Sequence, residues 1–487
     1  MRITTGFLFW ICLAFLLGGC AIGPNFERPA VQTPPAWKAE KLSSSVQPQG
    51  KPTASHDSLT NTLQPGKWWQ IFGDPVLDSL QTQALRSNQD VQSGIARVEE
   101  ARAQVRVSSS YLYPSIRLNP SFTRNHLPPN RPNASSTQAK DATLNTFDIP
   151  IDVSYELDIW GKLRRSIEFA DGSYKATQAD LEVVKLSVSS EVARIYFLIR
   201  SLDTETKILE RTVAARKENL ALTTSRHQAG MTTEFDLRQA ETELANVESQ
   251  LIEQLRSRAE LEFSLALLCG ESASAFTLAS DTLKYVPPSI PAALPSELLS
   301  RRPDIARAEL TVAATNAQIG TATASRLPRI NLTASAGFQS ANSDNLFEQD
   351  SRRWLIGVGV SIPIFEGFRN VAGQEAAEAR LQRAVSDYKQ TVLNAFREVE
   401  SGLMNLKFRT EQSEVQARAV TASRQAASLV RERYRKGLVS YFDVVNTERS
   451  QLDAERTATQ ILGQRLIYTV QLIKALGGSW NSETILK

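Results

Sequence analysis

Much of the architecture follows from the segment Phe147-Asp-Ile-Pro-Ile-Asp-Val-Ser-Tyr-Glu-Leu-Asp158, in which apolar and polar side chains alternate. Successive residues of a β-strand point to opposite faces, so this segment predicts a strand with one apolar and one polar face. Its length is typical of a strand that crosses a lipid bilayer. A segment at about 115–124 alternates similarly, and segments at about 328–338 and 354–365 form a second pair.

One strand of this kind has two interpretations. It could belong to a half-buried sheet of a water-soluble domain, or its apolar side chains could face lipid. Four such strands, one with carboxylates along its polar face, favour lipid outside and an aqueous lumen inside. Four strands leave two open edges, and unpaired backbone groups are costly in hydrocarbon. Because a barrel needs about eight strands, we expect an oligomer: two chains give eight strands, and three give twelve with a wider lumen.

The chain repeats itself around these strand pairs. Matching residues include Leu85 and Leu299, Asp90 and Asp304, and Gln104 and Gln318 at a shift of 214, then Glu191 and Glu398, Gly230 and Gly437, and Asp236 and Asp443 at a shift of 207. We therefore predict two structural repeats, 67–276 and 277–478, followed by a C-terminal tail, 479–487. Each repeat consists of a helix, a strand, a loop, a strand and a long helical hairpin.

The two predicted hairpins, about 163–270 and 368–476, are unusually long. Their first helices contain no proline and are rich in Ala, Glu, Gln, Arg and Leu, and the chain turns at Gly230 and Gly437. About 65 helical residues would reach roughly 100 Å. A solid bundle would bury one apolar stripe per helix, whereas a tube wall needs two. Apolar residues at more than one angular position favour the tube, and the bundle is the alternative.

The N-terminus predicts a lipoprotein. Residues 1–19 carry one positive charge and an apolar run of signal-peptide length, too short for a permanent transmembrane helix. The run ends Leu17-Gly-Gly-Cys20, so we expect removal of 1–19 and a covalent lipid on Cys20. An ordinary signal peptide with an incidental cysteine is the alternative. Ala21 rather than Asp after the cysteine indicates the outer membrane, and residues 20–66, rich in Pro, Ser and Gln, predict an extended tether.

The composition favours neither enzymatic activity nor binding to nucleic acid. The chain has 55 Lys and Arg against 52 Asp and Glu, and a net charge of +3 over 487 residues does not favour nucleic acid. Three Cys and three His offer little material for a metal site, and no phosphate-binding or dinucleotide motif occurs. We predict no enzymatic activity, and no cofactor apart from the lipid on Cys20.

Several short motifs carry a family resemblance. They are Gly23-Pro-Asn-Phe26 after the cysteine, Trp68-Trp69, Phe72-Gly-Asp-Pro75, Arg301-Arg-Pro-Asp-Ile305, Ile362-Pro-Ile-Phe365, and Phe442-Asp-Val444 after Gly437. The chain resembles TolC-like outer-membrane efflux factors, and more closely the OprM-like lipoproteins of the NodT group, over nearly all of its mature length. The resemblance implies a homotrimer with a twelve-stranded barrel in outer-membrane lipid, a mixed equatorial belt and a long periplasmic α-helical tunnel. It also implies a periplasmic adaptor and an inner-membrane pump as partners.

The resemblance also implies roles for residues near the hairpin tips. The turns at Gly230 and Gly437 would lie at the periplasmic end and close the tunnel. Tyr434 would form a hydrogen bond with Asp236 on the neighbouring hairpin and hold the tip shut. Asp443 would form a threefold acidic ring at the narrowest point, which would make the aperture selective for cations.

Two positions depart from the family pattern at this aperture. TolC-like factors are typified by an arginine and a second aspartate at two positions near the tip, where this chain has Val439 and Asn446. We therefore expect one closing bond fewer and weaker cation binding at the mouth. Asp236 and Asp443 also have a simpler interpretation, because an aspartate that accepts backbone N–H bonds after a turn caps a helix for about 1 kcal/mol.

The leading functional hypothesis is a passive exit duct, the outer-membrane part of a tripartite efflux system for small molecules. The alternative is a lipid-anchored periplasmic coiled-coil scaffold without a pore. A periplasmic enzyme is a third hypothesis, and no cleft-forming group of titratable residues in the sequence supports it.

Overall fold

The computed structural model of the protein describes residues 21–38, 66–128, 142–288, 290 and 295–480. The predicted signal peptide, the lipid site at Cys20, most of the tether and nearly all of the C-terminal tail lie outside the described residues.

The helices are α1 (Pro75–Ser87), α2 (Gln89–Ser110), α3 (Lys162–Gln228), α4 (Glu234–Leu268), α5 (Leu298–Arg301), α6 (Pro303–Ala324), α7 (Arg369–Arg435) and α8 (Tyr441–Ala475). The strands are β1 (Ser115–Leu118), β2 (Ser121–Leu127), β3 (Ala142–Leu157), β4 (Arg329–Ser340) and β5 (Arg352–Ser361). Single 3₁₀ turns span Trp68–Phe72, Pro295–Glu297 and Gln349–Ser351. The chain divides into two units, made of residues 1–29, 98–177 and 308–388, and of residues 30–97, 178–307 and 389–487.

The first unit contains one antiparallel sheet. Its strand order is β1-β3-β4-β5, and β2 also pairs with β3. β1 and β2 follow each other along β3, with Ser115 opposite Ser154 and Ser121 opposite Asp148. Pro120 separates them because it has no N–H to donate to the ladder. The sheet is thus four strands wide, and within the described residues its two outer edges are unpaired.

The two faces of the sheet differ in chemistry. One row across four strands contains Leu118, Ile151, Ala336 and Trp354, whose side chains share the apolar face. Trp354 on this face is 78% exposed. On the polar face Arg353 donates to Asp148 at 2.7 Å. The alternation predicted from the sequence therefore corresponds to an exposed apolar face and a polar face with ion pairs.

The second unit contains the tips of both helical hairpins and a buried core at the other end of its helices. In that core Phe72 packs against Phe197, with ring centroids 4.8 Å apart. Asp74 caps α1 by accepting from the backbone of Val76 at 2.9 Å and of Leu77 at 3.3 Å. Pro75 at the first helical position fits this start, because its missing N–H would have had no helical partner.

Candidate functional site

The two hairpin tips have the same backbone geometry. Gly230 follows α3 with φ of +70°, and Gly437 follows α7 with φ of +73°, the left-handed region that favours glycine. In the first tip Met231 N–H donates to Arg226 O at 2.8 Å, and in the second Leu438 N–H donates to the equivalent carbonyl at 2.9 Å. This Schellman arrangement satisfies carbonyls at the end of each helix and reverses the chain.

Both returning helices begin with a capping box. The Thr233 hydroxyl accepts from Asp236 N–H at 3.2 Å, and the carboxylate of Asp236 accepts from Thr233 N–H at 3.3 Å. Ser440 and Asp443 form the same pair at the start of α8, at 3.3 and 3.0 Å. The aspartates therefore take part in capping, but as the third residues of capping boxes: the N-caps themselves are Thr233 and Ser440.

The carboxylate of Asp236 also accepts from the hydroxyl of Thr232 at 2.6 Å. Burial opposes its charge, but the bonds from Thr232 and Thr233 outweigh burial and lower the pKa of Asp236 below its ordinary value of 3.8. Asp236 is thus an ionised cap, and its bonds all go to its own turn.

Within this chain Tyr434 does not form the hydrogen bond expected with Asp236. Tyr434 is buried, and its hydroxyl lies 3.4 Å from the hydroxyl of Thr223 on α3. Thr223 donates its own proton to Asn219 O at 2.9 Å, so the tyrosine is the donor. The Asp236 carboxylate accepts hydrogen bonds from its own capping turn. Tyr434 therefore bonds to Thr223 of α3 instead.

The sequence did not single out Arg226, which links the two hairpins. Its guanidinium lies 4.5 Å from the centre of the Tyr434 ring and donates to Tyr434 O at 3.1 Å and Arg435 O at 3.2 Å. These carbonyls are at the end of α7, where helix geometry leaves them without helical partners. The sequence did contain a signal for this role: Arg226 lies one turn before Gly230, and cations are favoured near helix C-termini.

The two positions that depart from the family pattern have different environments. Val439 packs against the tip cluster of Tyr434, Tyr441 and Val444, so an apolar residue here adds to packing. Asn446 is exposed on α8, three residues after the exposed Asp443. The spacing places both polar side chains on one side of the helix.

A buried ionic cluster lies farther from the turns and joins all four long helices. Arg216 of α3, which is 1% exposed, donates to Glu448 of α8 at 2.7 Å and lies 3.8 Å from Glu243 of α4. Arg449 also pairs with Glu243, and Arg431 of α7 lies 3.5 Å from Glu448. Such a cluster is sensitive to loss of one member, because the remaining buried charges lose their compensation.

Two kinds of feature are absent from the described ranges. Among these residues, no three or more of His, Cys, Asp and Glu are grouped so that they could hold a metal ion. No described helix combines the length and apolarity needed to cross a membrane.

The family model for outer membrane efflux protein matches residues 80–271 and 294–478, which include both hairpins and all five strands of the sheet. The chain belongs to the outer membrane efflux protein family. It is 31% identical to the solvent efflux pump outer membrane protein SrpC of Pseudomonas putida, over 96% of this chain and 97% of that protein. It is 29% identical to the cation efflux system protein CusC of Escherichia coli O6:H1, over 96% and 98% of the two chains.

Solved structures agree with this assignment. A membrane protein from Pseudomonas aeruginosa matches with a TM-score of 0.85 and 27% identity, covering 95% of this chain and 98% of that one. The outer-membrane channel OprN matches with a TM-score of 0.83 and 27% identity, covering 94% and 99%. The family resemblance and the fold class predicted from the sequence are confirmed. The chain is an outer-membrane efflux channel component of a Gram-negative bacterium, and its family is one of channels rather than enzymes.

Proposed function

We propose that three copies of this chain form a passive exit duct for small molecules that an inner-membrane pump and a periplasmic adaptor deliver. The observation that carries this proposal is the four-strand-wide sheet, which has an exposed apolar face and two unpaired edges among the described residues. In hydrocarbon each unpaired backbone group is costly, so the sheet requires a strand on both sides. Pairing β5 of each copy with β1 and β2 of the next gives twelve strands and a closed barrel.

Lipid attachment at Cys20 is part of the proposal. The residues that follow it are held in place: Ile22 N–H donates to Trp160 O at 3.0 Å. Arg165 donates to Ile22 O at 3.2 Å and to Gly23 O at 3.1 Å. These bonds hold Ile22, two residues after the lipid site, beside the end of β3. A lipid on Cys20 would therefore insert into the same bilayer that surrounds the sheet.

The aperture is assigned to the tips of the hairpins. Asp443 and Asn446 are exposed on one side of α8, and three copies of Asp443 around an axis would concentrate negative charge. Arg226 and Tyr434 would keep the second hairpin against the first. The tips therefore combine a charge that attracts cations with a contact that holds the closed position.

Conductance and mass test the proposal together. Purified lipidated protein should conduct ions in planar bilayers and have the mass of a trimer in mild detergent. A monomer that does not conduct and becomes water-soluble when Cys20 is replaced by Ser would support the pore-free scaffold instead. A stable complex with a purified periplasmic adaptor of an efflux system, measured by co-purification, tests the partner assignment separately.

A further inference from the structure

The apolar face of the sheet carries two arginines near one end. Arg124 is opposite Asn145 on β3, six residues before Ile151 of the apolar row. Arg352 is on β5, two residues before Trp354 of the same row. Side chains an even number of residues apart on a strand share a face, so both arginines lie on the apolar face. Both are exposed.

The charges on the described strands are sorted by face. The strand carboxylates are Asp148, Asp152 and Glu156, and all three belong to the polar face. Within the described strands, the apolar face has Arg124 and Arg352 but no carboxylate. Neither arginine forms an ion pair with another described residue. A charge that faces lipid is costly at the middle of a bilayer and tolerated near its surface, so these arginines need a position at that surface.

Exposed aromatic residues mark the bilayer surface. Trp354 is 78% and Phe122 55% exposed, and aromatic girdles of this kind lie at the membrane–water interfaces of a transmembrane barrel. Arg352 is two residues nearer the loop end of the sheet than Trp354, and Arg124 is two residues nearer than Phe122. His126, two residues beyond Arg124, shares the face. The basic residues thus lie just beyond the aromatic girdle, at the level of lipid headgroups.

The connections between strands and helices identify the leaflet. β1 and β4 begin shortly after α2 and α6, and β3 and β5 end shortly before α3 and α7. Channels of this family extend into the periplasm through their helices. The opposite end of the sheet, where β2 connects to β3 and β4 to β5, therefore belongs to the outer leaflet. In the outer membrane that leaflet is a glycolipid with phosphates on its sugar headgroup, and basic side chains at headgroup level attract such anions.

We propose that Arg124 and Arg352 bind the headgroup phosphates of this glycolipid. The two arginines lie on β2 and β5, at the two outer edges of the sheet. The inference rests on the proposed trimer, in which β5 of each copy pairs with β1 and β2 of the next. Each subunit boundary then presents Arg352 of one copy on the strand adjacent to that of the partner subunit's Arg124.

The chemistry of this pair suits phosphate. Like charges on adjacent strands destabilise their pairing, so two guanidinium groups at the boundary favour an anion between them. A guanidinium forms two parallel hydrogen bonds to phosphate oxygens, which are among the stronger bonds that a side chain makes. The glycolipid thus spans the subunit boundary, with its phosphates on two copies and its acyl chains along the apolar face.

Binding of lipid A tests the proposal. The probe is bisphosphorylated lipid A, and native mass spectrometry of the lipidated trimer in mild detergent measures its affinity. The double variant Arg124→Gln, Arg352→Gln should bind it about tenfold more weakly, because charge-assisted bonds to phosphate are lost. Lipid A without phosphates should bind the wild type equally weakly. Equal affinities of wild type and double variant for the bisphosphorylated form would overturn the inference.

Arg117→Gln is the matched control. It makes the same change on β1, but Arg117 is opposite Asp152 and therefore on the polar face. Its affinity for lipid A should equal that of the wild type. An equal loss in Arg117→Gln and in the double variant would show a general effect of charge and refute the site.

Two further comparisons test the shared site and the choice of lipid. Arg124→Gln and Arg352→Gln should each lose part of the affinity, and a loss confined to one of them would refute a site shared across the boundary. Phosphatidylglycerol, which has one phosphate where lipid A has two, should displace little lipid A at equal concentration. Complete displacement would assign the arginines to anionic lipids in general and overturn the choice of glycolipid.

The state of the protein in the same preparations separates the inference from the proposed function. A trimer that conducts ions in planar bilayers, but binds lipid A equally with and without the two arginines, refutes the inference alone. Absence of any wild-type trimer refutes the proposed function itself. The double variant should keep the melting temperature of the wild type, because both side chains are exposed.

Discussion

Asp443 accepts hydrogen bonds from both the backbone N–H of Ser440, at 3.0 Å, and its hydroxyl, at 2.7 Å. One carboxylate thus starts α8 and also places an exposed negative charge beside the tip. Helix capping and the proposed attraction of cations depend on different properties of this group, since capping needs an acceptor oxygen and cation attraction needs the charge. The two roles can therefore be separated by substitution.

Asp443→Asn should keep most of the cap, because an amide oxygen can accept the same bonds, but it removes the charge. We expect a smaller loss of thermal stability than in Asp443→Ala, because a first-turn carboxylate also interacts favourably with the helix dipole, and weaker block of the channel by divalent cations in planar bilayers. Asp443→Ala should lose both properties, and the loss of its hydrogen bonds to Ser440 should cost about 1 kcal/mol per chain. Cation block that is the same in wild type and Asp443→Asn would eliminate the acidic ring as its cause.

The capping box of Asp236 should contribute to stability in a pH-dependent way. Its pKa is lowered in the folded protein, so its contribution is present above the ordinary value of 3.8 and is lost as pH falls through the lowered value. Asp236→Ala should therefore lower the melting temperature at pH 7, and the difference from wild type should shrink below about pH 4. Circular dichroism at 222 nm in detergent measures it. A difference that is the same at pH 7 and pH 3 would contradict the assignment.

The strands and the caps could be predicted from the sequence because their signals are local. Alternation in the segment that contains β3 reports which face each side chain occupies, and Ser440 three residues before Asp443 is a capping pattern. The partner of Tyr434 could not be predicted in this way. Its hydroxyl bonds Thr223, 211 residues earlier, and that pairing depends on which face of α3 meets α7.

The buried ionic cluster was missed for a related reason. Arg216, Glu243 and Glu448 look like residues of solvated helix faces, since charged residues are common there. Only the packing of the two hairpins shows that these three lose their water together. The repeat offered a partial signal, because the position equivalent to Arg216 is Ser423, so the cluster is not duplicated.

Arg226 should hold the second hairpin against α3. Arg226→Gln loses the contact with the buried Tyr434 ring, worth about 1–2 kcal/mol, and weakens the bonds to two carbonyls. We expect a higher conductance in planar bilayers with little change in trimer mass. Lys436→Gln is the control, because this tip lysine, just after α7, pairs with Glu432 of its own hairpin and does not contact the other one. Equal conductance of Arg226→Gln and wild type would refute the holding role.

Arg216 should be important for stability. Arg216→Met leaves Glu243 and Glu448 buried without their central cation, which costs about 3–5 kcal/mol for a buried pair. We expect a large decrease in melting temperature. The triple variant Arg216→Met, Glu243→Gln, Glu448→Gln should recover part of it, because the uncompensated charges are gone. A triple variant less stable than Arg216→Met would mean that the carboxylates stabilise the helices through other contacts.

Gly320 of α6 should be required for the N-terminal segment to lie where it does. A side-chain carbon at this position would lie 2.5 Å from Ile22 O and 2.8 Å from Arg165, so Gly320→Ala must displace one of them. We expect faster hydrogen exchange at the Ile22 amide, which donates to Trp160 O, measured by mass spectrometry of the N-terminal peptide. Gly373→Ala is the control, since this helical glycine has open space around it. It should leave exchange at Ile22 unchanged. Slow exchange in Gly320→Ala would show that the segment is held by bonds other than those of Arg165 and Trp160.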